Sequence, residues 1–585
     1  MRELVHNGVV VPPMPGPYNL KLKIRGQEVA LTPTQEEMAM AWVRKLGTEY
    51  VEDPVFARNF LADFSEALGI EPPLKLEEVD FSPAAEIIAA ERAAREQMSK
   101  EERKALAAQR KVAREALKEQ YGYAIVDGER TELGTYLVEP SGIFMGRGKH
   151  PLRGRWKPGP KYRDITLNLS PEAPRPPGDW AEIVWQPDSM WIARWQDKLS
   201  GKTKYIWLAE TARIKQNKEA QKFAKASELD ANLDAVRAHI DEALRSEDAR
   251  RRRVATACYL IDKLCLRVGD EKDPDEADTV GATTLRPEHV TLHDDGTAEF
   301  RFLGKDSVLW HKKLSLPVAV QRNLAELKEN ARPSRNGARR GAAGKPQLFP
   351  DVSSRDVNAF LGELLPGLTA KVFRTRHATA AVRESLDRAG VDSEDAEFKK
   401  REAVVQANLE AAILCNHYKK APANWGARRE KAQARQEQLQ AQVQKAREAE
   451  QQAKEALDQV RATAREKIEA ARGPAARERV TASWQKRIDK AAAKREAARN
   501  KVRKAELALA RFRSQVALAT KSRTWNLGTS LKSYIDPRVY HVWGEKVCYD
   551  VLAAYYPKTL QRKFAWVRNG EVHEESEAVA EGAEP

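Results

Sequence analysis

Four short segments of this 585-residue sequence gather side chains that hold and protonate anionic oxygens. In residues 261–272 (IDKLCLRVGDEK), Arg267 follows an apolar helical run and precedes Gly269, which puts it at a helix C-terminus. The run Gly304-Lys305-Asp306-Ser307 lies between two alternating stretches, a hairpin signal that would hold Lys305 on a rigid tip. Residues 368–380 (LTAKVFRTRHATA) crowd Lys371, Arg374, Arg376 and His377 together, and residues 412–422 (AILCNHYKKAP) deliver His417 after an apolar run. Guanidinium groups grip phosphate oxygens through two parallel hydrogen bonds and keep their charge. Imidazole can donate to the same oxygens, and lysine can pass a proton to a leaving alkoxide. Given a nucleophile, such a set suits metal-free attack on a phosphodiester, with donors stabilising the five-coordinate phosphorus.

Taken singly, these residues have plainer readings. Arg267 complements a helix dipole, Lys305 is a solvated turn lysine, and Cys415 with His417 lacks the second ligand pair that a metal site needs. Charge sharpens the choice: 100 Lys and Arg stand against 85 Asp and Glu, a net of +15, which favours a polyanionic partner, nucleic acid first. Cys258, Cys265, Cys415 and Cys548 form no C-x-x-C pair, so neither a zinc knuckle nor a disulfide framework is written and a reducing compartment is expected. The N-terminus has no basic stretch followed by an apolar core, and no long apolar run occurs; a soluble, intracellular protein without membrane contact is expected.

The elements that must position these residues alternate in type. Length alone implies several domains. Short strands and turns occupy residues 9–33, two amphipathic helices residues 34–68, and a long charged helical stretch residues 84–120, broken at Ser99 where Ser-Lys-Glu-Glu reads as a capping box. Strands and Gly/Pro-rich loops follow, including the basic run GRGKHPLRGRWKPGPKYR at 146–163, then helices over about 220–269 and again up to Asn416. Residues 427–520 hold 24 Lys and Arg against 12 Asp and Glu, a net of +12, so most of the chain's charge sits there. Gly473-Pro474 stops that stretch near its middle, which predicts two long helices folded back as an antiparallel coiled coil. Such a surface is ordinarily just solvated. The acidic, small-residue end GEVHEESEAVAEGAEP reads as a disordered tail.

Together with TSLKSYIDPRVYHVW at 529–543, these segments closely resemble the eukaryotic-type (type IB) DNA topoisomerases. The resemblance runs in order along nearly the whole chain, through HNGVVVPPMPGPY, QMSKEE, GIFMGRGKHP, IDKLCLRVGDEK, DTVGATTLR, LGKDS, LTAKVFRT, AILCNH, YIDPR and QRKFAW. It implies Tyr534 as the nucleophile that forms a 3′-phosphotyrosyl bond, Arg267, Arg374 and His417 as donors to the non-bridging oxygens, and Lys305 as the acid for the 5′-oxygen. It also implies DNA contacts by Arg147, Lys149, Asp306 and Lys371, no metal or other cofactor, and relaxation of supercoils of either sign by rotation before religation, without ATP. The expected partner is duplex DNA, met largely without regard to sequence by a monomer. The basic coiled coil then becomes a brake on rotation.

The architecture expected is multidomain α+β, a bilobed DNA clamp. Residues 1–202 form a mixed N-terminal cap, 203–425 a mainly helical catalytic core, 426–520 the coiled-coil linker, 521–570 a small C-terminal domain with Tyr534, and 571–585 the acidic tail. The sequence departs from the family at Ser530-Leu531-Lys532-Ser533-Tyr534, where the lysine comes one place late and Ser533 replaces a common asparagine. Arg376-His377 stand where Tyr-Asn is familiar. The family's lysine-rich nuclear N-terminal extension is missing, so a chromosome without a nucleus, archaeal in type, is preferred to a nuclear one. A tyrosine recombinase would share the constellation but would need sequence-specific binding and synapsis. A DNA-bridging scaffold would bind supercoiled plasmid without changing its linking number.

Overall fold

The computed structural model describes residues 1–146, 148–269, 278–333 and 345–569, with Asp306 described by its backbone alone. It is a mixed α+β, multidomain chain that divides into two compact units, residues 1–373 with 562–585 and residues 374–561.

Among the described residues, three apolar cores organise the first unit. Near the N-terminus, helices Pro33–Val43 and Pro54–Leu68 pack Trp42 on Phe60, with ring centroids 4.6 Å apart, against the strands Lys21–Ile24 and Gln27–Ala30. A second core lies under a four-stranded sheet built from Glu182–Val184, Ile165–Asn168, Trp191–Gln196 and Thr203–Trp207, in that order. Between them helices Ser82–Gln97 and Lys100–Tyr121 form the charged stretch. The break falls at Ser99: its hydroxyl accepts the Glu102 N–H at 3.1 Å and the Glu102 carboxylate accepts the Ser99 N–H at 2.7 Å.

The third core joins helix Ala249–Leu264 to a three-stranded sheet of Val290–Leu292, Thr297–Gly304 and Val308–Ser315. Alternation decides the sheet's faces. Ala298, Phe300 and Phe302 point inward, and Phe302 stacks on its cross-strand partner Trp310. The ladder closes at Gly304 opposite Val308, leaving one helical turn, Lys305–Ser307, as the hairpin tip.

In the second unit two helices dominate. Trp425–Glu469 and Pro474–Ser522 are each about 70 Å long at 1.5 Å per residue and run antiparallel, reversing at Gly473 (φ 94°), whose conformation suits glycine. Alanine-rich composition favours helix throughout, but little apolar surface joins the pair. Leu439, Val443, Leu509 and Phe512 form one seam, and Arg447–Glu506 (2.5 Å) and Arg495–Glu450 (3.8 Å) bridge across it. The charge is lopsided: the first helix carries 10 basic and 8 acidic residues, the second 14 and 4.

The shorter helices of this unit hold the C-terminal segment against Glu397–Leu414. The Tyr540 hydroxyl donates to the Val404 carbonyl (3.3 Å), Asn408 Nδ2 donates to the Tyr555 hydroxyl (2.7 Å), and Arg401 donates to the Ala554 carbonyl (2.8 Å). Burial pushes the Tyr555 phenol up to about 12, so it stays a neutral structural group.

Candidate active site

Helix Ala370–Arg388 carries Arg374, and its first N–H is taken by the Asn358 side-chain oxygen at 3.0 Å. Lys371 is exposed in its first turn. Arg374 is 3% exposed, so its charge is buried and must be held by local acceptors. One of its Nη atoms donates to the Cys415 carbonyl at 2.9 Å and lies 3.5 Å from His417 Nε2.

His417 reaches that place because helix Glu397–Leu414 ends abruptly. Asn416 takes the left-handed conformation (φ 52°), which asparagine tolerates, and the His417 N–H donates back to the Ala412 carbonyl at 2.8 Å. The chain then departs into the two long helices and returns alongside itself. Tyr418 bridges Trp525, the Lys419 N–H donates to the Thr524 carbonyl (2.8 Å), and the Asn526 N–H donates to the His417 carbonyl (2.7 Å).

From there helix Leu527–Ser533 leads directly to Tyr534, whose N–H donates to the Ser530 carbonyl at 3.0 Å. Asp536 caps the next helix, Pro537–Lys546, and Thr379 links the two: its hydroxyl donates to the Tyr534 carbonyl (3.3 Å) and accepts the Asp536 N–H (3.1 Å). The Tyr534 ring is thereby fixed beneath the Arg374 guanidinium, 4.9 Å from carbon to centroid, with the His417 ring 5.2 Å away. His417 Nδ1 pairs with the Ser530 hydroxyl at 2.8 Å. A phenol, a buried guanidinium and an oriented imidazole thus share one small volume, which a phosphate would find lined with donors. The sequence singled out all three. Ser530 and Thr379 were not given roles by it; the serine's place one helical turn before the tyrosine was the available signal.

Arg267 and Lys305 belong to the first unit. Arg267 is exposed two residues beyond Cys265, where the helix Ala249–Leu264 ends in a left-handed residue (φ 53°). The segment after residue 279 ties Arg267 to the hairpin: the Ala282 N–H donates to the Arg267 carbonyl (2.9 Å) and the Val280 N–H to the Leu303 carbonyl (2.8 Å). Gly269 and Gly281 pack backbone to backbone here, where a Cβ on Gly269 would lie 2.7 Å from Gly281 Cα. Lys305 is exposed on the tip, flanked by the exposed pair Leu303 and Leu309.

The loop 148–154 comes to the same tip. A Cβ on Gly148 would sit 2.8 Å from Ser307 Cβ, so only glycine allows this approach without displacement. Arg153 anchors the loop by donating to Asp53 (2.6 Å) and to the His150 carbonyl (2.9 Å), and this partner lowers the Asp53 carboxyl below its ordinary range. Lys149 is exposed beside Gly148. Arg147, the Asp306 side chain and the acidic tail lie outside the described residues.

Comparison with known proteins places the chain in a family. Residues 1–208 match the family model described as eukaryotic DNA topoisomerase I, DNA binding fragment; residues 211–450 match its catalytic core; and residues 506–575 match a C-terminal topoisomerase domain. The chain is 32% identical to DNA topoisomerase 1 of Homo sapiens over 96% of its own length and 70% of that protein. It is also 32% identical to the human protein named DNA topoisomerase I, mitochondrial, over 97% of the chain and 89% of that relative. Against DNA topoisomerase 1 beta of Arabidopsis thaliana the identity is 32%, and the chain spans 58% of that relative's length. With identity sustained from end to end and matches to all three family regions, the chain belongs to the eukaryotic DNA topoisomerase I family.

Proposed function

We propose that this protein is a type IB DNA topoisomerase that relaxes positive and negative supercoils by cutting one strand, allowing rotation and resealing. The observation that carries this reading is the packing of Tyr534 against Arg374 and His417, a nucleophile and two oxygen donors of types suited to in-line attack on a phosphodiester. Tyr534 releases its phenolic proton to water and attacks phosphorus, its oxygen replaces the 5′-oxygen, and a 3′-phosphotyrosyl bond forms. Arg374, His417 and Arg267 donate to the non-bridging oxygens as charge accumulates on them, and Lys305 gives its proton to the departing 5′-oxygen. The new ester retains the energy of the broken one, so the 5′-hydroxyl reverses the attack and no ATP is consumed. Cationic side chains supply the charge stabilisation, so the reading calls for no metal or cofactor.

In this reading residues 1–202 are the cap of a bilobed clamp, 203–425 the catalytic core, 426–520 a coiled-coil linker and 521–570 the domain that brings the nucleophile. Duplex DNA is held by a monomer largely through its backbone, with Arg147, Lys149, Asp306 and Lys371 among the contacts. The linker's positive charge slows rotation of the downstream duplex. The protein works on the chromosome, in a nucleoid or, alternatively, a nucleus. The test is a duplex oligonucleotide labelled at the 5′ end of the cleaved strand and quenched with denaturant: a labelled protein adduct, joined through the new 3′ end, supports the reading, and an adduct that carries label only when the strand is 3′-labelled, or none, overturns it.

A further inference from the structure

We propose that Ser530 is a positioning residue that switches the tautomer of His417 as DNA enters. The inference rests on the phosphodiester reading above and assigns to the serine a part in it.

The Arg374 guanidinium can only donate, and it faces His417 Nε2 at 3.5 Å. Where Arg374 donates to Nε2, the ring proton is on Nδ1 and the Ser530 hydroxyl accepts it at 2.8 Å. When a phosphate oxygen occupies the space between Arg374 and His417, both must donate to it. The neutral ring then needs its single proton on Nε2, which leaves a lone pair on Nδ1. A hydroxyl meets both demands by reversing its one O–H, whereas a carboxylate or carbonyl could only accept and would hold the proton on Nδ1.

Two observations make Ser530 suited to this. It is fully buried, so bulk water does not replace its hydroxyl. Its carbonyl also accepts the N–H groups of Tyr534 (3.0 Å) and Ile535 (3.1 Å), so the residue that orients the phosphate donor also fixes the backbone of the nucleophile. Ser530→Ala separates these duties, because it removes the hydroxyl and keeps the carbonyl.

The test is single-turnover cleavage and religation of a duplex oligonucleotide by the full chain and four variants: Ser530→Ala, Ser530→Thr, His417→Gln and the double substitution of Ser530→Ala with His417→Gln. Glutamine retains a donor, so residual cleavage is measurable. Losing one buried hydrogen bond should slow Ser530→Ala about tenfold with DNA affinity unchanged, while in the His417→Gln background the same change should alter the rate less than about twofold. Ser530→Thr, which restores the hydroxyl, should recover most of the rate, and melting curves verify that each variant folds. Equal losses in both backgrounds would overturn the proposal, since the serine would then act without His417. A wild-type chain that forms no adduct would instead remove the phosphodiester reading on which the proposal stands.

Discussion

The Asn526 N–H donates to the His417 carbonyl at 2.7 Å, across the whole of the two long helices. The chain leaving the core and the chain returning to it are zipped together at the base, so the place of Tyr534 beside His417 does not depend on how far the helices extend. Replacing residues 449–503 by a short glycine-serine turn keeps the seam at Leu439, Val443 and Leu509. Oligonucleotide cleavage should stay within about twofold of wild type, as for a distant, independent site. Supercoil relaxation per cleavage event, read in a single-molecule rotation assay, should become faster. A large fall in cleavage would show that the helices support the site itself.

The lopsided charge of the pair gives a second expectation. Lys490, Lys494 and Lys501 are exposed on the more basic helix. Changing all three to glutamate should weaken DNA binding chiefly at low salt and flatten the slope of log K against log salt by up to about 3. Equivalent changes to lysines of the first helix should do less. Equal effects from both helices would mean that overall charge, not one face, meets the DNA.

Arg374 is buried and touches both Tyr534 and the His417 imidazole. Arg374→Ala should lower single-turnover cleavage about 100-fold or more, the scale seen when one preorganised donor is removed from a transition state. Lysine at this position should restore only part of the rate, because a point charge cannot copy the planar fork. DNA affinity, set mainly by surface contacts, should change little in a filter-binding assay. A loss below tenfold in cleavage would argue that Arg374 is a structural cation.

Acid stability should be governed in part by His6. This ring is buried, its Nε2 pairs with the Asn168 carbonyl (2.9 Å) and its Nδ1 accepts the Gly8 N–H (3.1 Å), an arrangement that only the neutral ring satisfies. Burial accordingly depresses its pKa to about 4. The unfolded chain takes up this proton near pH 6.5 and the folded chain only near 4, so stability falls as pH drops through that window, by on the order of 2–3 kcal/mol. Thermal melts between pH 7.5 and 4.5 should show a steeper decline for wild type than for His6→Gln. Parallel declines would exclude His6 as a titrating group.

Much of this was legible in the sequence because side-chain chemistry marks it. The Ser99 capping box, the alternation on either side of Gly304-Lys305-Asp306-Ser307 and the Gly473-Pro474 reversal are local patterns that need no tertiary context. Arg374, His417 and Tyr534 stood out as residue types in ordered motifs, and they meet within one unit. What could not be read were the contacts made by backbone. The zipper between 417–419 and 524–526, the strap that runs from Arg267 through Ala282 to Leu303, and the approach of Gly148 to Ser307 depend on amides and glycines that carry no distinguishing side chain. Thr379 escaped for a related reason: a single hydroxyl on a helix gives no hint that it spans the turn between Tyr534 and Asp536.

The central claim is that Tyr534 breaks and reseals DNA while the duplex rotates. Its most direct test is incubation of negatively and positively supercoiled plasmid with the purified chain in EDTA without ATP, beside Tyr534→Phe. Wild type should give a ladder of topoisomers from both substrates, and the variant should leave the plasmid unchanged. Plasmid that is bound by wild type while its linking number stays fixed would contradict the claim.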